Sequence, residues 1–137
     1  MTSGTQRALH HISIGVSDLV ASARFYDAVL ATLGMRRVFE DIRPGQRNQA
    51  IGYGFEDGKD LIAIKERGDA AAHPGKGFHL ALGAPSIDAV FAFEAAAVPA
   101  GGAVVEAARA WPEFGDGYVA AYVTDPDGWQ LEAVYTR

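Results

Sequence analysis

The chain begins its regular pattern with an alternation of apolar and polar positions. Ile12, Ile14 and Val16 alternate with small or polar residues, which is the period of a β-strand with one buried face. Ser17-Asp18 then supplies helix-capping side chains, and apolar residues recur at helical spacing until Gly34. The pattern therefore predicts a strand followed by a helix over residues 19–33. Three further strands are predicted, at residues 36–40, 50–55 and 60–65.

The second half of the chain repeats this order of elements. The pattern predicts a strand at 78–82, a helix that begins after Ser86, and strands at 103–106, 118–124 and 129–135. Residues 107–116 read as a loop. The offset of 68 positions from His11 to His79 also relates Gly15 to Gly83 and Phe25 to Phe93. The sequence thus predicts two tandem βαβββ modules, at about 9–66 and 77–137.

These modules define an α+β fold. Each module of about 60 residues is too small to bury a sufficient core alone, so we expect residues 1–137 to form a single domain. We predict a mixed eight-stranded half-barrel sheet around a cleft, with the helices outside. Open sheet edges favour pairing with a second copy, so a homodimer is also expected.

Composition excludes several classes of function. The formal net charge is −5 and the chain has no cysteine, so disulfides, iron–sulfur clusters and thiol nucleophiles are excluded. With no cluster of Lys and Arg and no apolar run long enough to span a bilayer, we expect neither nucleic acid nor membrane as a partner. The polar N-terminus does not resemble a signal peptide, which makes the cytoplasm the expected location.

Three residues stand out as metal ligands. His11 and His79 occupy the same position of the repeat, and Glu132 lies on the last predicted strand. Two imidazoles and one carboxylate can hold a divalent ion and leave open positions for a substrate. By symmetry, a fourth ligand would fall at Ile62 or, with a register shift of one, at Ala63, and neither can coordinate. The alternative is that the two histidines are hydrogen-bonded structural residues.

Side chains that could line the cleft lie close to the seventh strand. Tyr118 and Tyr122 share one face of that strand, and the preceding loop carries Arg109 and Trp111, followed by Phe114. A phenol can donate to an oxyanion, and an aromatic wall with one cation suits a small organic anion. We predict a substrate-binding role for Tyr118, Tyr122, Arg109 and Trp111. Arg43 and Arg47 occupy the matching loop of the first module, where solvated arginines are also ordinary.

Three segments resemble one known superfamily. The segments are Leu9-His10-His11-Ile12-Ser13-Ile14-Gly15-Val16-Ser17-Asp18-Leu19, Gly77-Phe78-His79-Leu80-Ala81-Leu82 and Asp125-Pro126-Asp127-Gly128-Trp129-Gln130-Leu131-Glu132. In this order they resemble the glyoxalase, bleomycin-resistance and extradiol-dioxygenase group, the vicinal oxygen chelate superfamily. The resemblance implies paired βαβββ modules and one divalent metal ion (Fe, Mn, Zn or Ni), with His11, His79 and Glu132 at ligand positions.

The resemblance leaves two functions open. One is a metal-dependent lyase, isomerase or dioxygenase-like enzyme that acts on a small substrate with vicinal oxygens, in which Glu132 is also a candidate catalytic base. The other is a metal-free protein that binds or sequesters a small molecule, as bleomycin-resistance proteins do. The glyoxalase I pattern has a further Glu where this chain reads Leu61-Ile62-Ala63-Ile64, so we expect no four-ligand glyoxalase I activity.

Overall fold

A computed structural model describes residues 6–46 and 48–137. The first module contains β1 (Ile12–Val16), α1 (Leu19–Ala31), β2 (Arg36–Asp41), β3 (Ala50–Glu56) and β4 (Lys59–Glu66). The second contains β5 (Leu80–Gly83), α2 (Ile87–Ala97), β6 (Ala103–Ala110), β7 (Val119–Thr124) and β8 (Gln130–Tyr135). Both helices begin at a capping side chain: the carboxylate of Asp18 accepts from the Ala21 amide, and the hydroxyl of Ser86 accepts from the Ala89 amide.

The two modules have the same strand topology. The orders are β1-β4-β3-β2 and β5-β8-β7-β6, so the first strand of each module pairs with the last, in parallel, and stands at a sheet edge. The predicted α+β fold of two tandem βαβββ modules is confirmed. Its eight strands are divided between two four-stranded mixed sheets, with no closed barrel among the described residues.

Each helix covers one face of its own sheet. In the first module, Ile14, Ile62 and Ile64 are buried on the face that α1 covers. Residues of opposite alternation, including Ser13, Ala63 and its β3 partner Gly52, therefore lie on the other face, which we call the helix-free face. The helix-free face of the second sheet carries Tyr122 and its β8 partner Glu132, by the same alternation.

The modules contact each other through the turn between β7 and β8. The Tyr26 hydroxyl on α1 donates to the buried carboxylate of Asp125 at 2.7 Å, and the Trp129 indole Nε1 donates to the Gly15 carbonyl at 2.9 Å. The Ser17 amide donates to the Asp127 carboxylate at 3.0 Å. The larger cluster of buried apolar side chains also includes residues of both modules. That residues 1–137 form a single domain stays a prediction.

One element is longer than the sequence predicts. β6 continues to Ala110, so Arg109 lies in a strand and not in the predicted loop. The cause is pairing: Arg109 stands opposite Ala120 and Ala110 opposite Val119, although the ladder shifts register on the way. A 3₁₀ turn, Pro112–Phe114, follows directly after Trp111. Neither of the two described helices is long and apolar enough to cross a membrane.

Candidate metal and substrate site

The second module brings two of the three predicted ligands together. His79 directly precedes β5, and Glu132 lies on the neighbouring strand β8, opposite Ala81. The His79 Nε2 and Glu132 Oε1 atoms are 2.9 Å apart. Glu132 is only 1% exposed, whereas the side chain of His79 is 39% exposed. An almost fully buried carboxylate thus faces an accessible imidazole.

This spacing fits a shared metal ion. Two ligand atoms that are each about 2.1 Å from one ion and subtend roughly a right angle lie about 3 Å apart. A neutral imidazole and a carboxylate are also donors that divalent first-row metals accept. His79 and Glu132 are therefore suited to hold one ion together.

The second oxygen of Glu132 is held by a tyrosine. The Tyr118 hydroxyl donates to Glu132 Oε2 at 2.6 Å. In the β7–β8 ladder Glu132 stands opposite Tyr122, which is four residues after Tyr118. The Tyr118 side chain must therefore reach along the sheet towards Tyr122 to make this bond. Burial, and then the hydrogen bond to Glu132, raise the pKa of the Tyr118 phenol above its ordinary value, so it remains a donor at neutral pH.

A chain of aromatic contacts surrounds this pair. The Tyr122 ring lies edge-on to His79, with 5.3 Å between ring centroids, and Trp111 lies edge-on to Tyr122 at 5.6 Å. Phe114 stacks on Trp111 at 5.6 Å and contacts Tyr118 at 5.5 Å. Burial first, and then the nearby Glu132 charge, raise the pKa of Tyr122 to about 12. The wall therefore stays uncharged at neutral pH.

The four predicted substrate-binding residues belong to or border this wall. The Arg109 guanidinium carbon lies 3.2 Å from the centroid of the Trp111 ring, and the Trp111 Nε1 donates to the Ala120 carbonyl. Phe114, which the sequence places beside them, is 56% exposed and forms the outer end of the wall. Their contact with a substrate stays a prediction.

His11 lies apart from the other two predicted ligands. It stands directly before β1 on the first sheet, and its Nδ1 atom is 2.8 Å from that of His10, within hydrogen-bond distance. Within residues 6–46 and 48–137 no three His, Asp or Glu side chains form a group that could hold a metal. One chain therefore assembles the pair His79 and Glu132, and the predicted triad is not assembled within it.

The register identifies the counterpart of Glu132 in the first module. Ser13 stands opposite Ala63, just as Ala81, 68 positions later, stands opposite Glu132. Ala63 is thus the equivalent position, whereas Ile62 points into the core and is 2% exposed. Of the two loop arginines, Arg43 is paired with Asp41, with 2.9 Å between Nε and Oδ1, and Arg47 lies outside the described residues.

Fold and site together define a class: a two-module α+β protein with a histidine–carboxylate pair on the helix-free face of one sheet. The Glyoxalase/Bleomycin resistance protein/Dioxygenase superfamily model matches residues 8–133, and the chain belongs to this superfamily.

Two relatives cover nearly the whole chain. A lactoylglutathione lyase from Haemophilus influenzae is 31% identical over 131 residues, which are 93% of this chain and 91% of the relative. The crystal structure of a glyoxalase/bleomycin resistance protein from Albidiferax ferrireducens is 29% identical, with a TM-score of 0.74, and the match covers 93% of this chain and 98% of the other.

A plant enzyme shows the same fold at lower identity. The crystal structure of glyoxalase I from Zea mays matches with a TM-score of 0.72 at 21% identity. The match covers 93% of this chain but 45% of the plant chain, and at this identity it supports the fold alone.

Proposed function

We propose that this protein is a metal-dependent lyase, isomerase or dioxygenase-like enzyme for a small substrate with two adjacent oxygens. The observation that carries the proposal is the 2.9 Å approach of His79 Nε2 to Glu132 Oε1, with the imidazole accessible and the carboxylate buried. The fit of this pair to a divalent ion (Fe, Mn, Zn or Ni) does not discriminate among these metals.

We further propose that the third ligand is His11 of a second copy. β1 and β5 are both edge strands, so the first sheet of one chain can lie beside the second sheet of another. Such an arrangement would bring His11 of the second copy towards His79 and Glu132, and by symmetry it would form two sites per homodimer. The cytoplasmic location expected from the sequence stays a prediction.

A divalent ion in this site would polarise the substrate oxygens and stabilise the oxyanion that forms when a neighbouring bond breaks. The residues of the chain have separate tasks around it. Tyr118 holds one oxygen of Glu132 and leaves the other facing His79. The aromatic wall borders one side of the pair. Arg109, whose Nη1 lies 3.5 Å from the Glu113 carboxylate, would offer a cation to an anionic substrate group. Glu132 is our candidate for accepting a substrate proton.

Metal titration calorimetry tests the proposal. The wild type should bind about one divalent ion per chain, and His79→Ala and His11→Ala should each lose affinity by at least about a hundredfold, because each removes one of three protein ligands. His73→Ala is the matched control, since His73 is an exposed loop histidine that packs on Gly128. Failure of the wild type to bind any of the four metals would overturn the metal-dependent function.

Mixing the two variants tests the shared site. A mixed dimer of His11→Ala and His79→Ala chains has one site with all its ligands and one with two missing. After random reassociation, binding should return to about a quarter of the wild-type stoichiometry, because half of the dimers are mixed. If each chain built its own site, mixing would restore nothing.

One observation favours the metal-free alternative. Both oxygens of Glu132 already have protein partners, Tyr118 and His79, so the buried carboxylate is satisfied without an ion. A binding protein could use the aromatic wall with these groups as its polar lining. Wild-type protein that binds no metal, yet binds small aromatic anions with an affinity that Trp111→Ala lowers, would support this function.

A further inference from the structure

The helix-free face of the first sheet carries a carboxylate that strand alternation does not predict. In a regular strand Asp60 would share the core face with Ile62 and Ile64, and Leu61 would share the opposite face with Ala63. The ladder is not regular here: Tyr53 pairs with Ile62 but Gly54 with Asp60, so Leu61 is an extra residue in a β-bulge. A bulge re-aims the side chains that adjoin it.

The side chain of Asp60 lies over Gly52. A Cβ atom built on Gly52 would be 2.7 Å from Asp60 Cβ and 3.2 Å from its Oδ2. Gly52 is the pairing partner of Ala63, so the space above it is on the helix-free face. Leu61 packs instead against the apolar core. The bulge has therefore exchanged the two side chains, and Asp60 occupies room that only glycine leaves free.

This position is next to the site of the missing fourth ligand. Ala63, directly opposite Gly52, is the counterpart of Glu132. Asp60 also lines one cavity of about 310 Å³ together with His10, whose ring contacts that of His11. Arg7 and Lys59 line the same cavity, but neither forms an ion pair with Asp60, and Lys59 pairs with Glu56 instead.

We infer that Asp60 takes the place of the carboxylate absent at position 63 and presents its negative charge to the divalent ion. The inference rests on the proposed function, because the first sheet must approach His79 and Glu132 for Asp60 to act. Three neutral or singly charged ligands leave a divalent ion with a net positive charge, which a further carboxylate on the facing sheet compensates. Groups of this kind typically contribute about 10–100-fold to metal affinity.

A set of substitutions separates this role from others. Asp60→Asn keeps the shape of the side chain and should weaken Zn²⁺ and Ni²⁺ binding about tenfold in titration calorimetry. Asp57→Asn lies three residues earlier, in the turn between β3 and β4, where Asp57 pairs with Arg36 in solvent. This variant should remain within about twofold of the wild type. Circular dichroism of each variant checks that the fold is retained.

The third substitution, Ala63→Glu, tests whether the two positions share one task. It should restore metal affinity in the Asp60→Asn background. In the wild type it should add much less, because Asp60 already compensates the charge of the metal ion. An Asp60→Asn affinity within twofold of the wild type, or equal gains from Ala63→Glu in both backgrounds, would overturn the inference. If His79→Ala abolishes metal binding but Asp60→Asn leaves it intact, the inference about Asp60 falls and the proposed metal-dependent function stands. If the wild type binds no metal, the proposed function falls, and the inference with it.

Discussion

The helix-free faces of the two sheets share one strand plan but carry different chemistry. On the second sheet the equivalent positions are Tyr122 and Glu132, and on the first they are Gly52 and Ala63. The second face therefore carries a buried carboxylate fixed by a histidine and a tyrosine. The first offers small side chains and an exposed histidine, with Asp60 entering through a bulge. The two modules therefore share a strand order but differ in the side chains on their helix-free faces.

The difference between Ala63 and Glu132 predicts the largest effect. A glyoxalase I reaction with a Glu at both positions would use one carboxylate as a proton-transfer base, and the loss of a general base typically costs about 10²–10⁴ in rate. We expect this protein to turn over the methylglyoxal–glutathione adduct far below an ordinary rate of about 10 s⁻¹ with Ni²⁺, Zn²⁺, Mn²⁺ or Fe²⁺. Asp60 approaches from a different backbone position, so it replaces the charge and not this geometry.

The lactoylglutathione lyase of Haemophilus influenzae, assayed in parallel, is the positive control. Turnover within tenfold of that enzyme would show that another group of this chain supplies the base.

The contact between the modules predicts the next effect, on stability. Tyr26→Phe removes a donor from the buried carboxylate of Asp125, which is 3% exposed, and leaves it only the amides of Asp127 and Trp129. A hydrogen bond to a charged group contributes about 1.5–3 kcal/mol, so the free energy of unfolding in urea should fall by about 2 kcal/mol at pH 7. Tyr135→Phe, whose hydroxyl makes no hydrogen bond with the described residues, should change it by less than about 0.5 kcal/mol.

Tyr26 also predicts how the free energy of unfolding changes at alkaline pH. Burial, and then the charge of Asp125, raise the pKa of Tyr26 well above its ordinary value. Above pH 10 the unfolded chain loses this proton before the folded chain does, so stability falls as the pH rises. Tyr26→Phe should therefore show a shallower alkaline decline than the wild type. A parallel decline in both proteins would mean that other groups control it.

Tyr118 predicts a smaller effect, confined to the second face. Tyr118→Phe keeps the ring against Phe114 but frees Glu132 Oε2, so the carboxylate can rotate away from His79. We expect metal affinity to fall about tenfold, as for other groups that orient a ligand. Tyr135→Phe is the control, since its hydroxyl makes no hydrogen bond with the described residues, and it should change affinity by less than threefold. Equal losses in both variants would argue against a positioning role for Tyr118.

Periodicity predicts the modules, because alternation and capping residues act locally. The strands at 36–40, 50–55 and 60–65 lie within one residue of the observed bounds. The site is less predictable, because it depends on contacts between strands. The sequence groups His11 with His79 and Glu132, yet only the latter two meet in one chain. Alternation also does not predict where the Asp60 side chain lies, because a β-bulge turns it to the other face of the sheet. Nor does it predict that the Tyr118 hydroxyl reaches along the sheet to Glu132.

The smallest expected effect comes from a substitution that fills the space above Gly52, where the second sheet has Tyr122 at the equivalent position. Gly52→Ala places a methyl group against Asp60 Cβ, an atom too close to the backbone to move freely, so the bulge must shift. Such overpacking costs about 1–3 kcal/mol, and the lower entropy of the unfolded alanine chain offsets about 0.4–1 kcal/mol. We expect a net loss of about 1 kcal/mol in urea unfolding. Gly83→Ala is the matched control, because a Cβ atom there meets nothing within 4 Å. It should be neutral or slightly stabilising. A Gly52→Ala variant more stable than the wild type would show that the Asp60 side chain moves readily out of the space above Gly52. Asp60 would then not be a fixed feature that distinguishes the first helix-free face from the second.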